Sequence, residues 1–219
     1  MNTREGLLAG LAAENSSTRL AAALAIGTRR EPDAVDALVA RCAIEPDFFV
    51  RDMLTWALTR YPPELTVPRL RTELRAEAAQ ARSQALHTLS KIGDRAVWPD
   101  ITTRLLRDPD DEVARSAWRA AVILVPEAER ASLATELGAL LGRGDRELQL
   151  SLSRALVTLG EVIEPVLDTA AASRNAAVLA HARATQRLLH DPDAGFELAI
   201  DEARRIVALG PDRKEANAC

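Results

Sequence analysis

A chain of 219 residues with 47% hydrophobic and 27% charged residues has the make-up of an ordinary folded, soluble protein. Its net charge of −4 disfavours wholesale nucleic-acid binding, and no run approaches the roughly 20 apolar residues of a membrane span. Aromatics are only 3%, so the core is built from Ala, Leu and Val; Ala and Leu are strong helix formers, and alternating β-branched runs are missing. The first inference is an all-helical chain.

In chain order, "TREGLLAGLAAE" reads as a helix, followed by "NSSTRLAAALAIG", whose Asn15 is a helix cap. "PDAVDALVARCAIE" leads to "DFFVRDMLTWALTRY", with Asp47 as cap and four of the chain's seven aromatics between residues 47 and 62. Next come "PELTVPRLRTELRAE", "AAQARSQALHTLSKIGD", "RAVWPDITTRLLRD" and "DDEVARSAWRAAVIL". "EAERASLATELGALLG", "DRELQLSLSRALVTLG", "EVIEPVLDTAAAS" and "NAAVLAHARATQRLL" continue the alternation, and "DAGFELAIDEARRIVALG" forms a last helix. The tail, residues 210–219, has no apolar face and reads as flexible.

The second member of each pair repeats. Thr18, Val50, Ala81, Val113, Leu148 and Val178 are equivalent anchors, at steps of 32, 31, 32, 35 and 30 residues. Three residues before them stand Asn15, Asp47, Ala78, Asp110, Asp145 and Asn175, five of the six able to cap a helix. The second helices therefore start near 15, 47, 78, 110, 145 and 175. Apolar residues recur four, seven or eight, and eleven positions after the anchor, the stripe of an amphipathic helix. Pro68, Pro99 and Pro165 fall early in the intervening first helices, each expected to be about three turns long. The short joints make consecutive helices antiparallel neighbours.

No glycine-rich phosphate loop is present. His87, His181 and His190 are scattered, and Cys42 has no partner at metal-ligand spacing, so neither a metal nor a cofactor is expected. Cys42 and Cys219 stand in unlike settings and fit a reducing cytoplasm. The N-terminus lacks a basic flank followed by an apolar run, so "NSS" and "RGD" read as helix caps rather than export-dependent signals.

Helix pairs of this period, with "DFFVR" and "DDEVA" opening second helices and "ALHTLSKIGD" inside one, resemble HEAT-type repeats, the last being close to the bacterial HEAT-like form. The resemblance covers residues 4–209 as one continuous domain. It implies an all-α, right-handed alpha-alpha superhelix of about six helix pairs, closed by a C-terminal capping helix. It also implies that the second helices line the concave face, and that the Arg19, Arg51 and Arg82 column pairs with acids of the adjacent repeat. Deoxyhypusine hydroxylases are similar in architecture but need His-Glu pairs for iron, and none occurs. Alkylpurine DNA glycosylases are the enzymatic alternative, casting Trp56, Trp118, Arg119 and Asp52 in a groove, against which the acidic net charge argues.

On that face the positions two, three, six and ten beyond the anchor point outward. They carry Met53, Trp56, Arg60, Gln84, His87, Lys91, Arg115, Arg119 and Arg154, as well as Ser83, Ser116, His181 and Ala184. Arg, Trp and Met together have the composition of an interface. Trp118, Phe48, Phe49 and Trp98 read as packing residues, the two phenylalanines covering the neighbouring repeat's first helix, while Trp56 fits either packing or groove contact. The expected function is a non-catalytic, cytoplasmic, bacterial binding or adaptor module for an acidic or amphipathic protein segment.

Overall fold

The capped second helices organise the chain. The computed structural model describes residues 3–191, all of whose regular structure is helical. The last predicted helix and the tail, with Cys219, lie outside the described residues. The helices are α1 (Thr3–Leu11), α2 (Ser16–Arg29), α3 (Val35–Cys42), α4 (Phe48–Thr59), α5 (Pro63–Glu73) and α6 (Ala79–Ile92). They continue with α7 (Thr103–Leu106), α8 (Asp111–Leu124), α9 (Arg130–Gly138), α10 (Arg146–Thr158), α11 (Glu164–Ala171) and α12 (Ala176–His190).

The side chains of Asn15, Asp47, Asp110, Asp145 and Asn175 each accept amide hydrogen bonds from the first turn of the helix that follows. Ala78 leaves the start of α6 without a side-chain cap. One stripe of each even-numbered helix is buried: Leu54, Ala57 and Leu58 on α4, Ala85 and Leu89 on α6, Ala117, Ala120 and Leu124 on α8, Leu152 and Leu156 on α10. Each such leucine stabilises its helix in place by about 2 kcal/mol relative to an exposed one.

The chain forms two compact units, Met1–Leu124 and Val125–Cys219. In the first, α2, α4, α6 and α8 pack in succession as one layer, while α1, α3 and α5 do so as another. Each even-numbered helix also packs on the odd-numbered helix before it. Gly27 lets α2 and α4 approach closely, since a Cβ there would sit 2.7 Å from the Trp56 ring and 2.8 Å from the Ala57 backbone. In the second unit α9 packs on α11 and α10 on α12.

The fourth odd-numbered element departs from the three-turn expectation. A 3-10 segment, Arg95–Asp100, holds Trp98 and Pro99, and only a single turn of α-helix, α7, follows it. Pro99 has no amide to donate and clashes with the carbonyl four residues earlier, so an α-helix begun at Arg95 is broken there. Pro68, by contrast, is accommodated inside α5 with its ring exposed.

Candidate functional site

A solvent-open groove of about 310 Å³ lies across α4, α6 and α8 of the first unit. From α4 it is lined by Phe48, Arg51, Asp52 and Thr55; from α6 by Ser83, Gln84 and His87; from α8 by Glu112, Ser116 and Arg119. Gln84 and Ser116, and His87 and Arg119, stand at the same distance from their anchors Ala81 and Val113, so α6 and α8 present matching positions to the groove. Burial pushes the His87 imidazole below its ordinary value, and the nearby Arg119 and Lys91 push it further while Asp52 opposes them. The ring is thus a neutral hydrogen-bonding group at pH 7.

Of the residues expected on this surface, Gln84, His87 and Arg119 meet in the groove. Met53, Trp56, Arg60, Lys91 and Arg115 do not line it. Trp56 packs rather than lining the groove: one ring edge abuts Gly27, 37% of the residue remains exposed, and the Arg60 guanidinium lies 5.9 Å from the ring centre. Lys91 is exposed at the end of α6, and Arg115 is 3.5 Å from Glu112. Arg154 is exposed on α10, in the second unit. Ser83 and Ser116 are buried, though both reach the groove wall.

Two packing assignments separate. Trp118 is fully buried and donates from Nε1 to the Leu106 carbonyl at 2.8 Å. Phe48 and Phe49 are not packing residues: they are 66% and 72% exposed, edge to face with ring centres 5.6 Å apart. They occupy the first two positions of α4, where no neighbouring element covers them, and Ile44 just before is 67% exposed. An exposed edge-to-face aromatic pair is surface of the kind found at contacts rather than in a core.

The arginine column is the second feature sequence reasoning read incompletely. Arg19 donates from Nε and Nη2 to both oxygens of Glu45, at 2.8 and 2.7 Å. Arg82 does the same to Asp108 at 3.0 and 3.1 Å. Each guanidinium is held by Nη1, which donates to the carbonyls six and five residues earlier, Ala13 and Glu14 or Ala76 and Glu77. Burial would raise the Glu45 carboxyl, but bonds from Arg19, Arg41 and the Asp47 amide outweigh it and hold the group down at about 2. Arg51 has the same backbone posture, with Nη1 donating to the Glu45 and Pro46 carbonyls at 2.9 and 2.8 Å. Among the described residues it forms no ion pair. Glu45 and Asp108 stand two residues before their caps, and that position in the intervening repeat is Ala76. The signal was present in the sequence: of the three second helices that carry this arginine, those with Arg19 and Arg82 are followed at that position by Glu45 and Asp108, and the one with Arg51 by Ala76.

Two further groups invite chemistry and do not support it. Ser153 Oγ lies 2.9 Å from His181 Nε2, the spacing of a nucleophile and its base. However, Gly142 N donates to His181 Nδ1 at 3.0 Å, and the Gln149 carbonyl, which can only accept, is 3.0 Å from Nε2. The proton therefore sits on Nε2, and the ring cannot take one from Ser153. His181, Ser153 and Thr185 are moreover fully buried, so His181 and its neighbour Ala184 correct the expectation that their positions face outward. The loop carrying Gly142, whose φ of 86° suits glycine, brings the amide onto the ring. Cys42 is buried, and burial together with Glu45 pushes its thiol up to about 12, against the opposing charge of Arg51, which leaves it protonated.

Among the described residues no group of three or more His, Cys, Asp or Glu is placed to hold a metal ion, and no helix is long and apolar enough to cross a membrane. The sequence matches no protein-family model, and comparison with curated proteins finds no match.

Proposed function

We propose that the chain is a HEAT-like helical-repeat module, a right-handed superhelix of about six helix pairs, that binds an acidic or amphipathic protein segment without catalysing a reaction. The segment lies along the even-numbered helices of the first unit, in the cytoplasm of a bacterium. The successive stacking of α2, α4, α6 and α8 supports the repeat architecture.

The observation that carries the binding reading is the juxtaposition of the groove, with Arg51 and Arg119 in its lining, and the exposed Phe48–Phe49 pair at its edge. Aromatic surface supplies area, and arginine supplies directed hydrogen bonds to carboxylates. A glycosylase-like reading loses one of its aromatics, because Trp118 is inside the core.

Affinity capture from the native host tests the reading. The partner recovered with the natural chain is expected to be lost with Arg119→Glu and with Phe48→Ser, both surface changes that leave the fold intact. Retention by both variants refutes binding through this groove.

A further inference from the structure

Three second helices carry an arginine one residue after the anchor, and only the outer two have an internal carboxylate. Arg19 and Arg82 are finished by Glu45 and Asp108; Arg51, between them, is finished by no carboxylate among the described residues. Its posture is nevertheless that of its neighbours: Nη1 is fixed by two carbonyls, and the ring of Phe48 lies 6.0 Å from its guanidinium carbon. Nε and Nη2, the two donors that grip the carboxylate in the other repeats, have no hydrogen-bond partner among the described residues. Gln80 Nε2 donates to the Cys42 carbonyl and to the Glu45 carbonyl that also accepts from Arg51. A guanidinium immobilised in this way has already lost the side-chain entropy that binding would otherwise cost.

We propose that Arg51 is a preorganised seat for a carboxylate brought by the bound protein segment, an Asp or Glu side chain that completes the missing rung. The occupant is a protein segment rather than a small acid because the paired, exposed rings of Phe48 and Phe49 extend apolar surface beyond the seat. The residue flanking the partner's carboxylate is accordingly apolar and packs on Phe48. This deepens the binding reading above and rests on it.

The intramolecular test needs no partner. Ala76→Glu places an acid where Glu45 and Asp108 stand in their repeats, and is expected to raise the melting temperature by about 3 °C, with Ala76→Gln giving no rise. Absence of the rise overturns the seat. The binding test selects random displayed peptides on the full chain and measures the survivors by fluorescence polarisation. Selected peptides are expected to carry an Asp or Glu beside an apolar residue, and to bind Arg51→Gln and Ala76→Glu about tenfold more weakly. Peptides that are lost on Arg119→Glu but bind both of those variants normally overturn the Arg51 assignment and leave the groove reading standing. Recovery of no peptide overturns both. Glutarate that protects against thermal unfolding as well as the peptide, at equal concentration, overturns a protein segment as the occupant.

Discussion

Among the described residues the first unit buries charged groups as well as neutral ones, whereas the buried polar groups of the second are all neutral. The first is stitched by charges: Arg19 and Arg41 on Glu45, Arg82 on Asp108, all largely out of solvent. The second is stitched by neutral groups, the His181 imidazole with Ser153, Thr185, the Gln149 carbonyl and the Gly142 amide. The difference teaches that one repeat pattern accommodates either solution, provided every donor meets an acceptor, and that the two solutions fail under different conditions.

The largest expected effect breaks the charged stitch. Glu45→Ala leaves two buried or half-buried guanidinium groups unpaired and is expected to cost about 4 kcal/mol, read as accelerated hydrogen exchange in α2 and α4. Replacing Arg19 and Glu45 together by Met is expected to cost less than Glu45→Ala alone. A double variant worse than the single one would show that the ion pair itself, rather than the orphaned charge, carries the stability.

Acid separates the units next. Burial lowers His181 to about 4 from 6.5, opposed by its bond to the Gln149 carbonyl, so the ring is neutral in the fold. The unfolded chain binds that proton first, so the second unit loses stability as pH falls from 6.5 to about 4, by roughly 3 kcal/mol in all. Glu45 is held down at about 2, so its contribution is complete above 4.5 and is lost only as pH falls from there towards about 2. All three tryptophans belong to the first unit. Tryptophan fluorescence at pH 5 should therefore stay native while hydrogen exchange in α10 and α12 quickens; simultaneous loss of both signals contradicts the assignment. His181→Gln is expected to cost about 2 kcal/mol at neutral pH and to flatten the second unit's response between pH 6.5 and 4.

The smallest effect concerns the helix that lacks a cap. Ala78→Asp gives α6 the acceptor that its counterparts have and is expected to stabilise it by about 1 kcal/mol, measured by thermal unfolding followed at the tryptophans. A fall in stability would mean that the Ala78 backbone cannot present a capping side chain.

Helix starts and core stripes were legible because both are local: a cap needs only the amides two or three residues ahead, and a stripe needs only the helical period. Asp47, Leu54 and Leu58 lie where that logic puts them. The exposure of Phe48 and Phe49 was not legible, since a period assigns a face without saying whether a neighbour extends far enough to cover a first turn. His181 was misread because the step from Val113 to Leu148 is the longest, at 35 residues. The loop before α10 there carries Gly142, which closes over a position that periodicity places outside. Pro99 was visible, but whether a proline bends a helix or ends it depends on packing that the sequence does not state; Pro68 and Pro99 went different ways.

Cys42 turns the first unit into its own clock. Its protonated thiol is enclosed at the end of α3, beside the Arg19–Glu45 rung. In a Cys219→Ser chain it is the sole thiol, and a water-soluble alkylating reagent reaches it only when α3 and α4 part. The rate of modification then counts openings of the native protein, without denaturant, in the neighbourhood of the arginine that awaits its carboxylate.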